Sequence, residues 1–293
     1  MYQKIKGIII KAFVGGDWNV AYRFIGAKKG QYQILKTPEG TWAADPFLYE
    51  VEGKHYLFVE LCIKKKDKGT IACYQFINGE PIYKGILIES SYHMSYPCVF
   101  SYKGEHYMIP ETGDNGTINL YKSTLFPEQW DKVAILSSNE RYVDTTVFRQ
   151  NDEFYAVSYR KAAGKWKLDI FELDMETYKL RKIGCREYVN NNGRPAGNFY
   201  ESDGLIRPAQ DCSLKYGEAI ILNRVMMNEG KYEEQEISRI RINDIPVPVK
   251  ANRIHTYNSD SVYEVVDLYA EKLDLLHGAR TFWRVYMGKH LQG

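Results

Sequence analysis

The chain has 293 residues, 44% of them hydrophobic and 14% aromatic, and a formal net charge of +2. Such a length buries a large core, and the interspersed acids and bases exclude both a nucleic-acid face and a polybasic membrane patch. Five dispersed cysteines with no CxxC or Cys/His spacing read as reduced thiols, not as a disulfide framework or metal finger.

Near the N-terminus, Ile8-Ile9-Ile10 is too short for a signal h-region or a membrane span, and no small-residue cleavage site follows. A cytoplasmic protein without membrane insertion is expected. Two strands are predicted next, Asn19 to Ile25 and Gln31 to Leu35, with partners elsewhere in the chain. The stretch Trp42 to Glu60, WAADPFLYEVEGKHYLFVE, reads as a hairpin turning at Glu52-Gly53. Period-two alternation with a two-residue turn sets Asp45 directly opposite Glu60, with Cβ atoms roughly 5 Å apart. Two acids so close call for protonation, solvation or a ligand, so the pair marks a site. The run Lys64 to Lys68 reads as a solvated loop tip. Strands near Thr70 to Phe76 and Lys84 to Glu89, parted by Asn78-Gly79, complete a four-stranded meander.

The pattern then restarts. Tyr96 to Phe100, the turn Lys103-Gly104 and His106 to Glu111 repeat the hairpin, with Tyr107 and Glu111 at the offsets from Tyr96 that Tyr56 and Glu60 have from Asp45. A third copy runs from Asp144 to Phe148 and on to Tyr155 and Tyr159, turning at Asn151-Asp152. A fourth, looser unit starts near Gly204 and leads through Asp211 to the apolar strand Ala219 to Leu222. Ile254 to Tyr257, Val262 to Leu268 and Thr281 to Met287 supply closing strands.

Starts at 45, 96 and 144 are spaced by 51 and 48 residues, and a period of roughly 40 to 50 residues with four strands each indicates a β-propeller. The expectation is an all-β, single-domain, five-bladed propeller. Its blades start near 42, 93, 142 and 204, and 1–41 with 252–293 form the closing blade. A two-domain sandwich is the structural rival, but it leaves the shared register unexplained. In a propeller equivalent strand ends converge on one rim. That rim would gather Asp45, Glu60, Tyr96, Glu111, Asp144 and Tyr159, with Arg207 and Asp211 joining from the fourth blade.

WAADPFLYE, with acids returning in later blades, resembles the five-bladed propellers of glycoside hydrolases of the family 43/32 type, such as the arabinanases and invertases. The ordered series WAADPFLYE, HMSYPCVF, YMIPET, LFPEQW, YVDTTVF, GLIRPAQDCS and IHTYN resembles more specifically the propeller that precedes the transferase domain of the plant glucosamine inositolphosphorylceramide transferase family and its bacterial relatives. The hydrolase resemblance implies an inverting reaction run by three carboxylates and matches Asp45 to the general base; the chain has no unambiguous match to the hydrolase acid motif, and among its acids Glu111 is chosen as the acid and Asp144 as the orienting or pKa-tuning carboxylate. An inverting pair is roughly 6.5 to 9.5 Å apart.

Each residue also has a plainer reading. Asp45 before Pro46 suits a turn cap, and Tyr96 fills the channel as well as it stacks a sugar. His93 beside the second blade start is either a sugar ligand or a satisfied structural histidine. Arg194 and Arg207, each before proline, either hold a carboxylate or phosphate of the substrate or neutralise the acids. The expected function is a carbohydrate-active propeller, an inverting glycosidase-like enzyme acting on an intracellular oligosaccharide or glycan-assembly intermediate. Substrate contacts are expected from Glu60, His93, Tyr96, Arg194, Arg207 and Asp211, with no cofactor and no metal. The alternative is a non-catalytic glycan-binding module for surface-polysaccharide synthesis beside a glycosyltransferase partner.

Overall fold

The computed structural model describes residues 14–25, 31–228 and 230–273. The predicted strand Thr281 to Met287 and the Ile8-Ile9-Ile10 run lie outside them. The described residues form five antiparallel sheets arranged as the blades of a five-bladed β-propeller. Blade one is the meander Thr41–Val51, Lys54–Ile63, Lys68–Ile77 and Glu80–Ile88. Blade two runs Ser95–Tyr102, Glu105–Thr112, Thr117–Leu125 and Gln129–Ser138. Blade three follows with Val143–Gln150, Glu153–Ala162, Lys165–Asp174 and Lys179–Tyr188. Blade five takes its two inner strands, Arg253–Ser259 and Tyr263–Leu273, from late in the chain and its two outer ones, Val14–Phe24 and Gln33–Ile34, from early in it. Closure by both chain regions leaves no open edge on the inner strands.

The hairpin turns fall where the sequence puts them. Glu52-Gly53, Lys103-Gly104 and Asn151-Asp152 all have left-handed φ at both positions, the twist a two-residue hairpin needs. Inner strands are buried on both faces, and each outermost strand is largely exposed. Phe47, Phe58, Tyr96, Met108 and Ile109 belong to one core that joins neighbouring blades. Each such side chain contributes about 1.5–3 kcal/mol by leaving water.

Two expectations are corrected. Asp45 does not lie opposite Glu60: the register set by the turn holds as far as Phe47↔Phe58, after which Ala44 pairs with Glu60. A bulge holding Asp45 and Pro46 absorbs the difference. The same bulge recurs between Ser95 and Cys98, Val143 and Thr146, and Ile254 and Tyr257. Periodicity counts residues and cannot see an extra one unless the turn and the far end disagree. Nor does the fourth sheet begin near 204. Its innermost strand is split into Arg194–Pro195 and Tyr200–Glu201, both paired to Leu205–Asp211, so the latter is the second strand. Ala219–Asn228 and Lys231–Arg241 follow.

Candidate functional site

The bulges decide what reaches the axis. Asp45, Tyr96 and Asp144, the first bulge residues of blades one to three, have φ of 46°, 46° and 52°. Left-handed backbone is unfavourable for a side chain with a Cβ, and it persists where surrounding contacts over-determine it. Here those contacts are visible. The backbone N–H of Asp45 donates to Asp267 Oδ2 at 3.0 Å, and that of Tyr96 donates to Asp45 Oδ2 at 3.2 Å.

An open cavity of about 380 Å³ sits on this rim. Asp45, Glu60, Glu111, His93, Arg194 and His255 line it, together with the aromatic walls Trp18, Trp42 and Tyr216. Asp45 Oδ1 accepts from the Thr256 hydroxyl at 2.9 Å and lies 3.7 Å from His255 Nε2. Burial raises the Asp45 carboxyl from an ordinary 3.8 to about 6; His255 opposes that rise, while Asp267 and Asp144 add to it. His255 is fully buried, which alone would discharge it, but Asp267 and Asp45 hold its imidazole above the usual value. Its Nδ1 is 2.6 Å from Asp267 Oδ2, and its ring stacks on Trp18 at 3.9 Å between centroids. Asp267 Oδ1 also accepts from the backbone N–H groups of His255 and Thr256.

Asp45, His255 and Asp267 bring their ligand atoms within 4.8 Å of one another, a spacing suited to a cation. The hydrogen bonds argue against one, because four N–H groups already occupy both oxygens of Asp267 and one of those donors is the imidazole. The trio is tied together through Asp267, whose oxygens are taken, and does not fit a metal centre.

Glu60 and Glu111 carry the other face. Burial pushes both carboxyls well above the usual range. For Glu60 the nearby Asp45 and Glu111 add to the effect; for Glu111 Asp144 adds and Arg194 opposes. Glu60 Oε1 and Glu111 Oε2 are buried without a hydrogen-bond partner among the described residues. His93 Nε2 comes within 3.3 Å of Glu60 Oε1, off the line of a hydrogen bond. Because Gly69 N–H donates to His93 Nδ1 at 3.1 Å, the imidazole proton sits on Nε2, and burial lowers the pKa of the ring. Gly69 has no room for a side chain: a Cβ there would lie 2.6 Å from Glu60 Oε1.

Asp144 is consumed. Arg194 donates to it from Nε and, at 3.2 Å, from Nη2, and Gln210 Nε2 adds a third bond at 3.1 Å. The same Arg194 Nη2 is 3.5 Å from Glu111 Oε2, so one guanidinium serves two carboxyls. Tyr96 is completely buried, its hydroxyl accepting from Gly197 N–H at 2.7 Å and meeting Thr146 Oγ1 at 2.9 Å. It fills the channel beneath the cavity. Arg207 and Asp211 are not brought to the cavity, since both lie on the second strand of blade four. Arg207 is buried against Glu234, the Tyr188 hydroxyl and the Gly193 carbonyl, and Asp211 pairs with Arg239 and accepts from Ser213 N–H.

His255, Asp267, Trp18, Trp42 and Tyr216 were not singled out by the sequence. Asp267 had a signal, an acid inside the apolar strand Tyr263–Leu273. Arg194 carries a stronger signal: it lies 50 residues after Asp144, at the repeat spacing, and precedes proline as Asp45 and Tyr96 do.

Fold and rim together define a five-bladed propeller with an axial cavity walled by carboxyls and aromatic rings. It superposes on a GH43 β-xylosidase/α-arabinofuranosidase from a compost metagenome with a TM-score of 0.56 at 13% identity, covering 79% of this chain and 90% of that one. With the family 117 glycoside hydrolase Zg3597 of Zobellia galactanivorans the TM-score is 0.53 at 9% identity, over 87% and 91%. At such identities these likenesses establish the fold alone.

The family model described as glucosamine inositolphosphorylceramide transferase 1, N-terminal, matches residues 15–249, and the chain belongs to that family. Curated relatives named glucosamine inositolphosphorylceramide transferase 1 are 30% identical in Arabidopsis thaliana and 27% in Oryza sativa subsp. japonica, over 66% and 67% of this chain. The chain spans about a quarter of the length of those relatives, 27% and 28%.

Proposed function

We propose that the axial cavity binds a saccharide and acts on a glycosidic bond with inversion, Asp45 serving as general base and Glu111 as general acid. The observation that carries this reading is the separation of two neighbouring carboxyls by their surroundings. Glu111 is kept protonated well above the ordinary carboxylate range, and Asp45 ionises near pH 6. One acid ready to give a proton beside one ready to take it is the division an inverting glycosidase needs. Asp144, gripped by Arg194 and Gln210, orients that guanidinium against Glu111. Trp18, Trp42 and Tyr216 supply faces on which a pyranose ring packs. The names of the relatives and of the superposed hydrolases support a carbohydrate ligand.

The experiment is turnover of an oligosaccharide panel by the wild type and by Asp45→Asn. Loss of turnover with sugar affinity kept agrees with the proposal, and unchanged turnover in the variant removes it.

A second reading has its own support: the chain corresponds to a fraction of much longer transferase relatives. In it the propeller binds a glycan for a separate transferase. Saccharide binding by calorimetry, without turnover and indifferent to Asp45→Asn, would favour that role.

A further inference from the structure

A second cavity, of about 330 Å³, opens on the same rim between blades three and four, and cationic side chains line it where carboxyls line the axial one. Arg141, Arg160, Lys161 and Arg194 line it beside Tyr159 and Trp166, and no carboxylate is among its lining residues. Arg141, Val143 and Arg194 belong to both cavities, so a single ligand can reach from one into the other.

Two of the cations are fixed from behind. Arg160 Nε donates to the buried Asp169 at 2.7 Å and its Nη1 to Glu140 at 3.1 Å, while Arg194 is held by Asp144. Their side-chain freedom is already spent, both line the cavity, and no described residue accepts from Arg160 Nη2 or Arg194 Nη1, which leaves these groups for a ligand. The other two are available. Lys161 Nζ sits 4.7 Å over the Trp166 ring, with no described carboxylate at ion-pair distance. Arg141 is 73% exposed and bonds Asp114 through Nη2 alone. Four cationic side chains around a small volume match an oxyanion.

We propose that this side cavity is an oxyanion subsite, taking the phosphate or carboxylate group of a glycoconjugate whose sugar lies in the axial cavity. The second half rests on the saccharide reading above; the first does not.

Calorimetry at low salt separates them, with inorganic phosphate, glucose, glucose 1-phosphate and glucuronate as probes. Inorganic phosphate is expected to bind the wild type, about tenfold more weakly the double variant Arg141→Ala/Lys161→Ala, and unchanged Lys103→Ala, which removes a surface cation paired with Glu176 and absent from the cavity lining. Added salt should weaken the binding. A gain over glucose by glucose 1-phosphate identifies a phosphate as the natural group, and a gain by glucuronate a carboxylate. Phosphate that does not bind, or binds the double variant as well as the wild type, overturns the subsite. Phosphate binding that follows the variants, with no saccharide bound at all, keeps the subsite and removes the saccharide reading of the axial cavity.

Discussion

Asp45 and Asp144 occupy one backbone position in two blades, yet they meet opposite surroundings. Each is the first residue of an inner-strand bulge with left-handed φ. Asp144 receives a guanidinium and an amide from the fourth blade. Asp45 receives a hydroxyl from blade five, a backbone N–H from blade two, and an imidazole shared with Asp267. The repeat therefore supplies a place, and the adjoining blade decides whether the acid there is gripped by a guanidinium and an amide or left with a raised carboxyl facing the cavity.

The largest effect that can break this contrast is removal of the guanidinium. Arg194→Leu leaves Asp144 and Glu111 without their cation, and about 3–5 kcal/mol of stability should vanish in urea unfolding. Adding Asp144→Leu should restore much of it, and a single-variant loss under about 1 kcal/mol would mean that the pair is solvated.

Next in size is the pH dependence set by Asp45. Its folded carboxyl holds a proton up to about pH 6, whereas an ordinary one loses it near 3.8. Between those values the folded state binds the extra proton, so stability falls as pH rises and levels off above about 6. The raised carboxyls of Glu60 and Glu111 and the raised His255 have the same sign, each favouring the protonated folded form. The lowered carboxyls of Asp169 and Asp211 act the other way in acid. Between pH 5 and 8 the lowered imidazoles of His93 and His106 oppose the raised groups, and the wild type should on balance be more stable at pH 5 than at pH 8. Asp45→Asn should show a shallower slope; an identical slope would assign the titration elsewhere.

Smaller is the effect of Asp267, which accepts from the Asp45 backbone. Asp267→Asn replaces one accepting oxygen with a donor, leaving a buried N–H without an acceptor at a cost of about 1–3 kcal/mol. Denaturation at fixed pH checks it, and full stability would mean that the amide finds new partners. Smallest is Tyr96→Phe, which takes the hydroxyl from the Gly197 N–H for about 1 kcal/mol. Saccharide affinity should not change; a loss of affinity would return Tyr96 to the site.

The propeller was legible because blades one to three repeat on a common register and carry turn residues where the chain reverses, as at Glu52-Gly53 and Lys103-Gly104. Asp45, Glu60, Glu111, His93 and Arg194 converge on one cavity for the same reason. The bulges were not legible, since an inserted residue leaves no mark in an alternation read from one end, and with them went the idea of Asp45 facing Glu60. The fourth blade was misplaced because its inner strand is broken between Pro195 and Tyr200, so no continuous apolar run announces it. His255 escaped because residues 242–252 lengthen the step from Arg194 to 61, well past the usual spacing. Trp18 stacks on His255 only through closure of the ring by a strand from the other end of the sequence.

A crystal soaked with an oligosaccharide tests the central claim most directly. Sugar rings should lie in the axial cavity against Trp18 and Trp42, with a glycosidic oxygen toward Glu111 and the opposite face of the ring toward Asp45. Sugar bound on another face of the propeller, with the axial cavity filled by solvent alone, would contradict it.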